Sequence, residues 1–179
     1  MSLEEELALV ARAKAGEKEA MGILWSSITP KLYGYLVNVL REKSLAEDIL
    51  QETWLKAISA LPSFRPRGAR FSAWLFAIAK NECRQYWRSH HQNIVLEDGE
   101  EETIPDHAAA PAVMQEKLLL DNVLEKLSKT DREILRLRYI SDLSFKEIAR
   151  VLELSVIVAR VRAHRALGRA RAVLENNIQ

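Results

Sequence analysis

One cysteine, Cys83, in a chain of 179 residues is too few for an intramolecular disulfide or a thiolate-rich zinc site. Six glycines and five prolines are too few for a fibrous repeat or a low-complexity chain. No apolar run approaches the roughly 20 residues that a membrane-spanning helix needs, so no membrane insertion is expected. The opening Met1-Ser2-Leu3-Glu4-Glu5-Glu6 is acidic where a secretory signal is basic and then apolar, and a cytoplasmic location is therefore expected. Strict apolar–polar alternation is also missing, which removes the sequence case for a sheet. What remains is 48% hydrophobic and 28% charged, enough to bury one modest core or two small ones.

The formal net charge of +1 hides an uneven distribution. Residues 1–91 carry 13 Lys and Arg against 10 Asp and Glu, residues 92–130 carry 3 against 9, and residues 131–179 carry 10 against 6. Two basic blocks flank an acidic connector, and an anionic ligand responds to such local fields rather than to the total.

Apolar residues recur at helical spacing nearly throughout, so the fold class is all-α: two small helical domains joined by a flexible linker. The spacing places helices near 3–15, 17–28, 30–42, 45–61, 70–88, 113–127, 131–140, 145–152 and 156–175. Thr29-Pro30 reads as a cap followed by proline at the first helical position. Ser44-x-x-Glu47, Thr130-x-x-Glu133 and Ser144-x-x-Glu147 fit the reciprocal capping box. Residues 92–112, with Glu97-Asp98-Gly99-Glu100-Glu101-Glu102 and two prolines, read as an acidic linker between domains 1–91 and 113–179.

On the helix from Leu45 to Leu61, residues Ala46, Ile49, Leu50, Thr53, Ala57 and Leu61 share one arc, the expected buried stripe. Asp48, Gln51, Glu52, Leu55 and Ser59 lie opposite. Leu55 among acids and an amide suits a protein partner with basic side chains, though a solvated face with one exposed leucine, or a carboxylate pair for acid/base or metal chemistry, fits the same residues.

Residues 64–88 interleave six bases with six aromatics, and Glu82 is the only acid. Trp74, Asn81, Arg84 and Arg88 fall within an arc of about 80°, while Phe71, Leu75 and Ile78 cluster elsewhere as core. A cationic surface with aromatic planes suits single-stranded nucleic acid, whose phosphates take the charge and whose unstacked bases take the π-faces. Phe71 and Phe76 are expected in the core.

Near the C-terminus, Phe145, Ile148, Ala149 and Leu152 give a short helix one apolar face. A turn at Glu153-Leu154 follows, and Ser155 caps a longer helix whose apolar arc is Ala159, Ala163, Ala166, Leu167, Ala170 and Leu174. This is a helix-turn-helix pattern. Arg160, Arg162, His164, Arg165, Arg169 and Arg171 occupy the other arc, and no acid lies between Ser155 and Arg171, so the second helix suits a major groove.

Three blocks together resemble bacterial RNA polymerase sigma factors of the extracytoplasmic-function (ECF) group of the sigma-70 family. They are the run from Ala46-Glu47-Asp48 to Ala57, then Phe64-Arg65 with Phe71-Ser72-Ala73-Trp74 to Asn81, and finally Arg132-Glu133-Ile134-Leu135 through Arg165-Ala166. The resemblance implies that Asp48, Gln51, Glu52 and Leu55 dock on the clamp coiled coil of core RNA polymerase, with the flap as a second contact. It implies that Phe64, Arg65, Trp74, Lys80, Asn81, Arg84 and Arg88 serve the downstream promoter element and its melting, with Phe64 and Asn81 near a pocket for a flipped base. It also implies that Ser155, Arg160, Val161, Arg162, His164 and Arg165 serve the upstream element. Neither a catalytic residue, a metal site nor a cofactor is expected; promoter DNA and an anti-sigma factor, which would hold the chain near the membrane, are the further partners.

The chain departs from the family pattern where Ser155-Val156-Ile157-Val158-Ala159-Arg160-Val161 stands in place of Ser-x-Gly-Thr-Val-Lys-Ser. Ile157 replaces glycine, Val158 replaces threonine, and Val161 replaces serine on the arginine-bearing arc, where packing against a thymine methyl is the expectation. Glu153 occupies a common turn glycine, and Gln85 stands where aspartate is frequent. The alternatives are a stand-alone helix-turn-helix regulator with an N-terminal dimerisation or signal-binding module, and a metal-dependent enzyme using Asp48, Glu52, Glu82 and the histidines.

Overall fold

The computed structural model describes residues 1–66, 70–93 and 123–177, all of whose regular elements are helical. Residues 94–112 of the expected acidic linker, most of the helix expected over 113–127, and Arg67 lie outside the described residues, whereas Gln92 and Asn93 are helical.

Helix α1 (Leu3–Lys14) opens with a complete capping box in which Ser2 and Glu5 satisfy each other's backbone donors. Helix α2 runs unbroken from Lys18 to Leu40 through Pro30, so Thr29 caps nothing. Leu24, Ile28, Leu32, Tyr35 and Leu36 bury one face on both sides of the proline, and that burial outweighs the lost hydrogen bond. The Thr29 hydroxyl instead accepts from the Trp54 indole N–H at 3.1 Å.

Helix α3 (Lys43–Ala60) begins after Glu42, which leaves Ser44 inside the helix, where its hydroxyl donates to Glu42 rather than forming the expected box with Glu47. Helix α4 (Phe71–Asn93) extends a turn beyond the expected end. Its N-terminus is capped from a distance: the Ser72 backbone N–H donates to the Glu6 carboxylate of α1 at 2.5 Å. Glu6 is 2% exposed, and burial pushes its carboxyl above the ordinary range despite those hydrogen bonds.

Helix α5 (Lys129–Leu135) starts from Ser128, whose hydroxyl accepts from Asp131 N–H, and not from Thr130. It widens into a π-turn over Arg136–Ile140. Helix α6 (Phe145–Val151) carries the expected Ser144–Glu147 capping box, and α7 (Val156–Asn177) the expected Ser155 cap, with Val158 N–H donating to the hydroxyl at 3.2 Å. Glu153 makes the intervening turn in the left-handed region, at φ +57°.

The two helical units share a core. Ile134, Leu137, Leu143, Ile148, Ala149, Val151, Ala159 and Ala163 are continuous with the buried residues of α1 to α4. Val123, Leu124, Leu127, Leu135, Ala166 and Ala170 form a separate cluster beneath α7, onto which Val173 packs. Leu174, expected on the same arc, is 38% exposed, because the cluster follows positions 166, 170 and 173.

Candidate docking and nucleic-acid surfaces

On α3 the expected stripe is buried in full: Ala46, Ile49, Leu50, Thr53, Ala57 and Leu61, joined by Trp54. Trp54 lies at ring-centroid distances of 4.6 Å from Trp25 and 6.3 Å from Phe71, which pins α3 to α2 and α4. With that face fixed, Asp48, Gln51, Glu52 and Leu55 all point outward. Leu55 is 63% exposed, and Ile58, one turn on, is 46% exposed. Ile58 escaped the sequence reading, although its spacing of three from Leu55 was the available signal. The surface is an apolar pair bordered by carboxylates. Lys56 bounds it, meeting Glu52 at 3.6 Å and the buried Glu82 at 2.5 Å. The hydrogen bond to Glu82 holds the Lys56 ammonium above its ordinary pKa.

Along α4 the expected residues divide between core and surface. Phe71 and Leu75 are core, as the wheel predicts, and so is Phe76, as expected, while Ile78, which the wheel also placed in the core, is half-buried. Phe64 is 6% exposed, with its ring 5.5 Å from Phe71 and 4.9 Å from the half-buried Trp74. Its carbonyl accepts from the Lys14 ammonium at 2.7 Å and from Arg65 at 3.2 Å. Arg65, Asn81, Arg84, Trp87 and Arg88 are exposed. Of the six bases of this segment, Arg84 and Arg88 lie open on α4 and Arg65 lies open before it, and these exposed cations attract phosphate.

Lys80 stands apart. Its ammonium donates to the Val151 carbonyl of α6 at 2.9 Å, and burial, reinforced by Arg84, lowers its pKa. The same seam carries Tyr35 Oη to Glu133 Oε1 at 2.5 Å, Arg136 Nε to Asn38 Oδ1 at 2.6 Å, and Arg70 to Glu147 at 3.5 Å. In this arrangement α6 covers part of α4.

On α7, Ala159, Ala163, Ala166 and Ala170 are buried, and small side chains let the helix sit close to α5 and α6. Ser155, Arg160, Val161, Arg162, His164 and Arg165 are all exposed. The Arg160 guanidinium lies over the Phe145 ring at 5.8 Å, and Arg169 pairs with the buried Asp131 at 2.6 Å. Arg162, Arg165 and Arg169 line an open groove with Ser128, Thr130 and Asp131. Protein contacts thus hold Arg160 and Arg169, while Arg162 and Arg165 face outward.

Residues 24–92 match the family Sigma-70 region 2, and residues 117–169 match Sigma-70, region 4. The chain is 34% identical over 166 residues to the RNA polymerase sigma factor CarQ of Myxococcus xanthus, spanning 91% of this chain and 94% of that one. It is 28% identical over 184 residues to the ECF RNA polymerase sigma-E factor of Haemophilus influenzae, spanning 96% and 94%. Among solved structures, CnrH in complex with the cytosolic domain of CnrY superposes with a TM-score of 0.74 at 27% identity, over 96% of this chain and 98% of that chain.

Proposed function

The chain belongs to the extracytoplasmic-function group of the sigma-70 family, and from that premise we propose how its surfaces divide the work of directing transcription initiation. Residues 1–91 form the unit that grips core polymerase and opens the downstream element, 92–112 the linker, and 113–179 the unit that reads the upstream element. The outer face of α3, Asp48, Gln51, Glu52 and Leu55, docks on the clamp coiled coil, and Ile58 extends it. Arg65, Trp74, Lys80, Asn81, Arg84 and Arg88 face the downstream element. Ser155, Arg160, Val161, Arg162, His164 and Arg165 face the upstream element.

The observation that carries this reading is Leu55: a leucine 63% exposed among carboxylates on a helix whose other face is wholly packed. Folding gains nothing from it, whereas a partner surface with an apolar centre and a basic rim gains both burial and charge pairing. The protein itself is not an enzyme; binding energy opens the duplex, because an extruded base is compensated by stacking and edge contacts. For Phe64 this requires the aromatic cluster with Phe71 and Trp74 to part, since the ring is enclosed.

The seam between the units also bears on function. Lys80 is engaged by Val151, so it reaches a promoter only after α6 leaves α4. An anti-sigma factor that stabilises the closed arrangement would keep the promoter surface covered, and the likeness to CnrH, solved with the cytosolic domain of CnrY bound, supports such a protein partner. No described helix is long and apolar enough to cross a membrane.

Run-off transcription with purified core polymerase on a promoter library tests the reading. Template-dependent transcripts that require the chain are expected. DNA binding at full strength without core polymerase, and no change in transcription when core is added, would favour a stand-alone regulator instead.

A further inference from the structure

The first turns of α7 carry four exposed aliphatic side chains within six positions: Val156 at 40%, Ile157 at 76%, Val158 at 38% and Val161 at 42%. Nothing in the fold calls for them. The packed face of the helix is Ala159, Ala163, Ala166 and Ala170. β-Branched residues are mediocre helix formers, and exposure gives them no burial in return. Their neighbours are cationic, with Arg160, Arg162, His164 and Arg165 exposed and no acid from Ser155 to Arg171.

A ligand that meets aliphatic groups and cations on one narrow face combines apolar points with dense negative charge. The major groove of DNA does so at thymine, whose C5-methyl stands between the phosphate rows. A protein partner would have to supply an acidic rim around an apolar centre on the scale of one helix turn; DNA supplies it at every thymine. In helix-turn-helix docking the N-terminal residues of the second helix contact the base edges, and here those residues are the aliphatic ones.

Ile157 and Val161 are four residues apart, so they share a face and lie about 6 Å apart along the axis. That is near two base steps of about 3.4 Å each. We propose that Ile157 and Val161 form an apolar strip that reads the C5-methyl groups of two thymines about two base steps apart in the upstream element, while Arg162 and Arg165 hold the flanking phosphates. The proposal rests on α7 being the recognition helix, and it names what that helix recognises.

Deoxyuridine differs from thymidine only by the missing methyl, so the test leaves the protein unaltered. The full chain is assembled with purified core polymerase on a promoter selected from a library, and each thymine of the upstream element is replaced in turn by deoxyuridine. Complex formation should weaken about fourfold at each of two positions two steps apart, the equivalent of one buried methyl apiece, and stay unchanged elsewhere. The double variant Ile157→Ser with Val161→Ser, checked for helicity by circular dichroism, should bind thymine and deoxyuridine promoters equally. Uniform indifference to deoxyuridine with promoter binding intact overturns the strip and leaves the recognition helix standing, as does a serine variant that keeps the full deoxyuridine penalty. Promoter binding by the full chain that is unaffected by Arg162→Glu with Arg165→Glu, both exposed, overturns the recognition-helix reading and the strip with it.

Discussion

The Tyr35 hydroxyl of α2 donates to Glu133 of α5 at 2.5 Å, joining residues 98 positions apart. Tyr35 is 1% exposed and sits edge-on to Phe76 at 5.4 Å, so this hydrogen bond lies where the two helical units share their core. Beside it, Arg136 donates to Asn38, and burial lowers the pKa of that guanidinium. The closed arrangement is thus held by a part-buried polar seam beside an apolar contact, which fixes the register of one unit on the other.

Breaking that seam should loosen the closed arrangement without unfolding either unit. Tyr35→Phe keeps the ring and removes the donor, leaving Glu133 without its hydroxyl partner. A loss of about 1–3 kcal/mol is expected from urea denaturation. Because the Lys80 ammonium is released when α6 parts from α4, the variant should also bind the downstream promoter strand more tightly in isolation, read by fluorescence anisotropy at fixed salt. Unchanged DNA affinity in a destabilised Tyr35→Phe would separate the seam from promoter access.

Alkaline pH should act on the same region. Burial, with Glu133 adding repulsion, pushes the Cys83 thiol from its ordinary 9.0 up to about 12, and burial raises Tyr35 well above its ordinary value. Both groups stay protonated in the folded chain while the unfolded chain loses protons first. Their contribution is therefore fully present below pH 9 and falls as pH rises from 9 toward 12. Urea midpoints should be level from this source between pH 7 and 8.5 and drop above pH 9, and Cys83→Ala should flatten part of that drop. Iodoacetamide should label Cys83 only as fast as the chain opens.

Much of this arrangement was legible because it is local. The buried stripe of α3 follows from a 3.6-residue period, and the Ser144 and Ser155 caps follow from side chains that satisfy donors three residues away. The misread features are those where distant burial overrides a local signal. Pro30 looked like a helix start, but five buried residues on one face of α2 carry the helix through it. Ser44 and Thr130 matched capping boxes, yet Glu47 meets Tyr33 and Glu133 meets Tyr35, so each acid was drawn to a tyrosine on another helix. Glu6 gave no hint that it would cap α4, because the donor it serves, Ser72, is 66 positions away. The seam was hidden for the same reason: its apolar residues read equally well as the cores of two separate units.

Glu153 holds the left-handed conformation at φ +57°, a strained place for a residue with a Cβ. Glu153→Gly should relieve that strain and raise stability by about 1 kcal/mol, seen as a rise of a few degrees in the thermal midpoint. Glycine also loosens the unfolded chain, which offsets part of the gain. A lower midpoint would mean that the carboxylate makes a compensating contribution to the turn.

The α3 surface offers the sharpest separation of binding from folding. Asp48, Glu52 and Leu55 are exposed, on a helix anchored by Trp54 on its other side, so their replacement leaves the packed face intact. Asp48→Lys with Glu52→Lys should weaken core-polymerase binding at least tenfold, because like charges then oppose the basic rim proposed for the partner. Losing Glu52 also removes one partner of Lys56, but Lys56 keeps Glu82. Leu55→Ala should cost about tenfold on its own, the value of one buried aliphatic side chain at an interface, with little change in thermal midpoint. Raised salt should narrow the gap between wild type and the charge-reversal variant while leaving the Leu55→Ala deficit nearly constant, since screening acts on charges and not on apolar burial. Equal core affinity for all three proteins in a pull-down titration would assign polymerase docking to another face.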